Sequence, residues 1–314
     1  MSVSSAVIED VFKAHERFLW GLCYRLTGNA ADADDLVQET FVRAMKHPPA
    51  RMDEPWRPWL VRVAVNLGRD LLRLRRRRGY DGQWLPSPVE TDDETSPPAH
   101  EPVDEQGNPA ARYDQLESVS FAFLLALEVL TPTQRAVLLL RDVFDYSVKE
   151  TADALAMSEP NVKTTHHRAR KAMDAYDQSR QPLTRKLQAQ TRAALERFLQ
   201  CLINHDVSGA EALLAREARQ ISDGGGEFIA ARVPIVGAQK ILLFYQSLMK
   251  HRPPQMRHEW RVLNGLPALI SVFPDAGIGY APRSVTHCEL DADGLIKQLN
   301  VVVASRKLTA VHTH

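Results

Sequence analysis

Cysteine is scarce in this chain of 314 residues, which holds three. Cys23, Cys201 and Cys288 lie far apart, their number is odd, and no Cys-x-x-Cys or Cys/His spacing occurs. A disulfide framework and a zinc site are therefore not expected, no cofactor is called for, and a reducing cytoplasm fits. Long apolar runs are missing too. No stretch approaches ~18 apolar residues and no basic-then-apolar leader opens the sequence, so neither membrane spanning nor export is expected. A net charge is likewise absent, with 39 Lys and Arg balancing 39 Asp and Glu. Disorder is excluded by composition: 44% hydrophobic and 25% charged residues suffice for two or three compact domains.

A neutral total can conceal strong local fields. Arg73, Arg75, Arg76, Arg77 and Arg78 form a cationic run after an apolar helix, whereas Asp92, Asp93, Glu94, Glu101, Asp104 and Glu105 make the following stretch acidic. The most informative segment is Ser147 to Met173, which reads as two short helices joined by a tight turn. Val148, Ala152 and Leu155 recur at helical spacing on the first. Ser158 is placed to cap the second, and Pro160 sits in its first turn, where a missing N–H costs little. From that second helix Asn161, Lys163, Thr164, Thr165, His167 and Arg168 can project toward a DNA groove, while Val162, Ala169 and Met173 face the first helix. An amphipathic hairpin with a solvated basic face is the plainer reading of the same pattern.

Helical periodicity runs from about Ile8 to Gly79. Ile8, Val11, Phe12, His15, Phe18, Leu19, Leu22 and Leu26 mark one stripe, ended at Gly28. A second helix from Asp32 buries Ala33, Leu36, Val37, Phe41, Ala44 and Met45 and leaves Asp34, Asp35, Gln38 and Glu39 outside. Taken alone, that acidic face is a solvated helix surface. A third helix starts near Arg57 with Trp59, Leu60, Val63, Ala64, Leu67, Leu71 and Leu74 as its core stripe. Residues 80–115 lose periodicity, and their prolines and acids describe an extended linker. Within it Trp84, Leu85 and Pro86 form an apolar island, which either docks on a neighbouring domain or anchors the end of the third helix. Residues 116–178 are helical again, with a capping box at Thr131-Pro-Thr-Gln134, and four helices are expected.

The style changes to α+β over residues 188–308. Helices are expected around Ala194–Ile203, Gly209–Leu214 and Ile241–Met249, and strands at Phe228–Val233, Ala268–Phe273, Ser284–Leu290 and Ile296–Val303. Asp291-Ala-Asp-Gly294 is a hairpin-type turn between the last two. Helices followed by a curved antiparallel sheet suggest a cone with an interior pocket.

Asp32-Ala-Asp-Asp-Leu-Val-Gln-Glu-Thr-Phe-Val-Arg-Ala44, Trp59 to Arg73 and Leu130 to Phe144, together with the helix-turn-helix, resemble a bacterial RNA polymerase sigma factor of the extracytoplasmic-function group. Residues 188–308 resemble a SnoaL-like domain of the NTF2-like fold. Trp84-Leu-Pro-Ser-Pro88 and Asp223-Gly-Gly-Gly226 are similar to motifs of the subgroup that carries such an extension. The resemblance implies two all-α sigma domains, 8–79 and 116–178, and an α+β regulatory domain. Its implied partners are promoter DNA and core RNA polymerase, met through the β′ clamp helices and the β flap. Asp34, Asp35, Leu36, Gln38 and Glu39 would then dock on the clamp helices by charge-assisted pairs. The loop at about 47–57 would capture a flipped −10 base, and Asn66, Arg69, Arg73, Arg76 and Arg77 would hold the melted strand. The helix from about Glu159 would read the −35 element in the major groove. Trp84, Leu85, Pro86 and Asp223, Gly224, Gly225, Gly226 would form the regulatory contact.

The sequence departs from that pattern at identifiable places. The subgroup usually has arginine at Thr165, leucine at His166 and lysine at Glu227, and its terminal Asn-Pro-Asp-lysine motif is replaced by Val303-Ala-Ser-Arg-Lys-Leu308. Asp223, His258 and His287 could line a pocket, so an acid–base enzyme or a small-molecule sensor fused to a DNA-binding module stays open as the alternative. Glycines needing positive φ and surface histidines are the plainer account, and no catalytic residue is expected.

Overall fold

The computed structural model describes residues 5–49, 53–91, 112–250 and 256–311. The acidic stretch from Asp92 to Glu105 and part of the loop at 47–57 lie outside the described residues. The described residues within 1–79 and 93–181 form one compact helical unit, and those within 80–92 and 182–314 form a second, α+β unit. Among the described residues no helix is long and apolar enough to cross a membrane.

The helical unit begins with α1 (Ser5–Thr27), α2 (Ala30–Lys46) and α3 (Trp56–Arg78). Asn29 caps α2 by accepting from the Asp32 amide at 3.3 Å. Gly68 lets α1 and α3 approach closely, because a Cβ there would collide with Leu26. The stripe expected on α3 is rotated: Leu60, Val61, Ala64, Val65, Gly68 and Leu72 are buried, and Trp59, Val63, Leu67, Leu71 and Leu74 are half-buried. The helix touches helices on more than one side, so no single stripe describes its core. The last turns of α1 are buried all round, including Arg25, which is fully enclosed.

The second helical body holds α4 (Phe121–Ala126), α5 (Pro132–Asp142), α6 (Val148–Leu155), α7 (Glu159–Ala172) and a short α8 (Asp174–Ser179). Capping boxes at Thr131/Gln134 and Ser147/Glu150 start α5 and α6. Ala156 ends α6 in the left-handed region at φ 52° and makes the sharp turn into α7. Ser158 stands at the start of α7 as expected, but its hydroxyl makes no capping bond. Val162, Ala169 and Met173 are buried.

The α+β unit contains α9 (Arg185–Ile203), α10 (Val207–Ala212), β1 (Leu214–Asp223), β2 (Ile235–Val236), α11 (Ala238–Lys250), β3 (Arg257–Leu263), β4 (Leu266–Val272), β5 (Arg283–Leu290) and β6 (Ile296–Val302). One six-stranded sheet runs β2-β1-β6-β5-β4-β3. It is mixed rather than antiparallel, because β1 pairs with β6 in parallel, Asp223 opposite Val302. Two local expectations are corrected and a third element is new. Phe228–Val233 is not a strand, and Ile229 and Val233 are exposed; both edges of β1 are already taken by β2 and β6. The helix expected at Gly209–Leu214 ends at Ala212, and Leu214 opens β1 instead. The third is β3, which forms a hairpin with β4 through Asn264 and Gly265 at φ 53° and 80°. Helix α9 packs on β4 and β5, and Leu195, Phe198, Ile241, Leu269, Cys288 and Leu299 share that core.

Candidate functional site

The acidic face of α2 is solvent-exposed at Asp34, Asp35, Gln38 and Glu39. The Trp20 indole donates to Asp34 at 2.6 Å, and Glu39 pairs with Arg43 one turn on at 2.9 Å. Leu36 does not belong to this face. Helical geometry turns it into the core, where it lies near Gly68 and is 6% exposed.

The arginines of α3 divide into exposed and engaged ones. Arg73 pairs with Asp70 of its own helix, and Arg77 is exposed. Arg69 donates to Asn66 Oδ1 at 3.2 Å and to Thr133 Oγ1 of the second helical body at 3.1 Å. Arg76 donates to the Leu130 carbonyl, and Arg75 pairs with Glu128 at 2.8 Å. The same carboxylate receives Arg135, which also donates to the Leu26 carbonyl at 3.1 Å. Burial pushes Arg135 down to about 10, with Glu128 acting against it. On the other side Arg25 donates to Ser118 Oγ and to Gln115 and lies 5.6 Å from the Phe144 ring centre. The structure thus brings part of the expected −10 set against the second helical body.

On α7, Asn161, Lys163, Thr164, His167 and Arg168 are exposed and Thr165 is half-buried. Two of these make local bonds, Thr164 to the Pro160 carbonyl at 3.0 Å and Thr165 to Asn161 at 3.4 Å. His166, where leucine is usual, meets the buried carboxylate of Asp142 at 2.9 Å, and Arg170 one turn later binds it as well. Burial opposes the charged form of Asp142, yet the bonds from His166 and Arg170 outweigh it and hold its carboxyl below the usual range. These side chains fix α7 against the end of α5.

Within the α+β unit, residues 80–91 run as a strap over the fold. Asp223, at the end of β1 and fully buried, is its fastening point. It accepts from Tyr80 Oη at 2.7 Å, the Leu85 amide at 2.7 Å, the Gly225 amide at 3.0 Å and Lys307 Nζ at 2.6 Å. Lys307 is 2% exposed, also donates to the Leu85 carbonyl, and lies 4.4 Å from the Trp84 ring centre and 4.8 Å from that of Tyr80. Leu85, Pro86, Ser87, Pro88 and Val89 are buried. Beyond them Val89 exchanges two hydrogen bonds with Asn264, and Thr91 closes onto Val262 and Gly265. The glycines are required by position: Gly225 and Gly226 adopt φ 57° and 73°, and a Cβ on Gly225 would press on Ala304 at 2.9 Å. Glu227 binds the Ser305 amide at 3.2 Å. Sequence reasoning missed Lys307 and Tyr80, because the tail lacks the usual motif and a buried lysine is legible only beside its carboxylate.

The three candidate acid–base residues do not converge. Asp223 is enclosed by the strap, His258 lines a cavity without Asp223, and His287 is buried elsewhere on β5.

The chain matches the family model for Sigma-70 region 2 over residues 11–78 and that for Sigma-70 region 4 over residues 120–173. It is 32% identical over 301 residues to the ECF RNA polymerase sigma factor SigG of Mycobacterium tuberculosis, covering 90% of this chain and 78% of that protein. The chain belongs to the ECF RNA polymerase sigma factors. It is also 31% identical over 247 residues to SigJ of M. tuberculosis, with 77% and 73% of the two chains covered. The crystal structure of that SigJ aligns over 96% of this chain and 98% of its own, with a TM-score of 0.67 and 25% identity. This sigma factor therefore acts with core RNA polymerase at promoter DNA in transcription initiation.

Proposed function

We propose that this sigma factor is regulated in cis by its own α+β unit, through the strap. The observation that carries the reading is the Asp223–Lys307 pair closed around the Leu85 peptide. Residues 80–91 follow directly on α3, so fastening them takes that stretch out of the connection between the two helical bodies. Arg69 and Arg76 meanwhile bond to the second body, so gripping a melted −10 strand with both requires the bodies to part. Asp35, Gln38 and Glu39 dock on the β′ clamp helices, Asn66 and the α3 arginines hold the −10 strand, and α7 reads the −35 element from the second body, which meets the β flap. Phosphate-binding arginines contribute affinity and the α7 side chains specificity.

The test is run-off transcription with core RNA polymerase and a promoter library, comparing the full chain with one ending near Arg185. Removal of the α+β unit is expected to change transcription from the same promoters. Equal output from both proteins would refute regulation in cis.

A further inference from the structure

The second helix of the helix-turn-helix is seated by little apolar surface. Of the fourteen residues of α7, Val162 and Ala169 are the buried ones, with Met173 buried at its C-cap. All three lie along one side of the helix, and apolar contact is non-directional, so a line this thin does not fix the roll of α7 about its axis. What resists roll is polar. His166 Nε2 meets Asp142 Oδ2 at 2.9 Å, and Arg170, one turn further along, donates Nε to the same oxygen at 3.1 Å and Nη2 to Oδ1. Two side chains one turn apart on α7 thus grip a single carboxylate on α5, and the bidentate Arg170 fork adds direction as well as strength.

Asp142 stands where a carboxylate is otherwise unfavourable. It is the last residue of α5, where the helix dipole opposes a negative charge, and it is 2% exposed. Its backbone is tied down as well, the carbonyl accepting from the Tyr113 amide at 3.2 Å. A leucine at position 166, usual in the family that the sequence resembles, could pack there but could not bond the carboxylate. With about 3.6 residues per turn, Thr164 and Arg168 fall on the side of α7 opposite His166 and Arg170. Both are exposed. The anchor on one side of the helix therefore sets where the other side points, and hydrogen bonds to base edges are directional enough to register a small roll.

We propose that Asp142 is a positioning residue for reading the −35 element: through His166 and Arg170 it sets the roll of α7, and so which base edges Thr164 and Arg168 meet, while itself staying off the DNA. The inference rests on the reading that α7 enters the groove. Phosphate contacts carry affinity without sequence information. Loss of the clamp should therefore cost discrimination and spare general DNA binding.

The probe is a promoter library randomised over the −35 region, bound by the full chain with core RNA polymerase and sequenced after retention. Asp142→Ala should lower the enrichment of the preferred −35 bases about 10-fold or more, and His166→Ala, which leaves Arg170 on the carboxylate, about 3-fold. His166→Gln, whose amide can reach the same oxygen, should restore the wild-type preference. Total DNA retained at low salt should stay within about 2-fold of wild type in all three, since that retention is electrostatic. Asp142→Ala strands no buried charge, because the Arg170 side chain is 43% exposed and can turn to water; were it nonetheless to misfold, the comparison of His166→Ala with His166→Gln carries the test. Undiminished enrichment in Asp142→Ala and His166→Ala overturns the proposal. So does a parallel fall of enrichment and total retention, which marks a merely structural role, or an equal loss in His166→Gln and His166→Ala. Arg168→Ala separates the two levels: if it lowers the −35 preference where the Asp142 variant does not, the positioning role alone falls, and if it too leaves the preference intact, the reading of the −35 element by α7 falls with it.

Discussion

Replacing Asp223 by Ala removes one acceptor from four donors at once: Tyr80 Oη, the Leu85 and Gly225 amides and Lys307 Nζ. The dominant loss is at Lys307, whose ammonium is 2% exposed and would be left as an uncompensated buried charge. Breaking a buried pair by removing one partner costs about 3–5 kcal/mol, and a stranded buried amide such as that of Leu85 costs about 1–3 kcal/mol. The two losses share one site and do not add, so strap docking should weaken by about 3–5 kcal/mol, roughly 150- to 4000-fold. The effect should be local, because Val89 and Thr91 keep their bonds to Asn264, Val262 and Gly265. Hydrogen exchange at the Leu85 amide and Trp84 fluorescence in the full chain report it. Asp223→Asn combined with Lys307→Met should cost less than the sum of the single changes, since neither charge is then left alone. Less than about 5-fold faster exchange at Leu85 in Asp223→Ala would refute the assignment of the strap's strength to this pair.

Asp35→Arg with Glu39→Arg should abolish binding to core RNA polymerase while stability moves by under about 0.5 kcal/mol, both residues being on the exposed face of α2; wild-type pull-down would show that this face is not the docking surface. Arg168→Ala should weaken promoter binding and relax preference at one −35 position by about 1–3 kcal/mol, whereas a uniform loss with a shallower salt slope would make it a phosphate contact. Burial lowers His287 to about 3, so the folded state keeps it neutral where the unfolded chain, with its ordinary value near 6.5, takes up a proton. The unfolded state then binds more protons between about pH 6.5 and 3, and stability must fall as pH falls through that window, by up to about 1.4 kcal/mol per pH unit from this residue. Urea unfolding at several pH values, compared with His287→Gln, checks it; an identical slope in the variant would remove His287 as the source.

The parts of this molecule that were legible in its sequence are those decided locally. The capping box at Thr131 depends on residues three apart, and α5 starts where that signal stands; Ser147 and Glu150 start α6 by the same device, whereas α7 starts after Ser158 without a capping bond. β1 was illegible for the opposite reason. Leu-Ala-Arg-Glu-Ala-Arg-Gln is made of helix formers, and only pairing with β6 on one side and β2 on the other makes it a strand. The β3–β4 hairpin carried a readable Asn-Gly signal at 264 and 265 that went unused. Arg25 and Lys307 are buried cations whose side-chain partners Ser118 and Asp223 lie far off in sequence, and Arg135, besides its near neighbour Glu128, reaches the distant Leu26 carbonyl, so no window of sequence predicts these long-range bonds. The apolar island at Trp84 was visible as an anomaly; its grouping with Asp223 came from the family resemblance, and the structure seats the Leu85 amide on that carboxylate.

The most direct measurement is run-off transcription by full-length Asp223→Asn alongside the wild type and a chain ending near Arg185, with Leu85 amide exchange recorded on the two full-length proteins. The account predicts that the variant with the loosened strap shifts transcription in the same direction as loss of the α+β unit. Wild-type transcription from a variant whose Leu85 amide exchanges freely would contradict it.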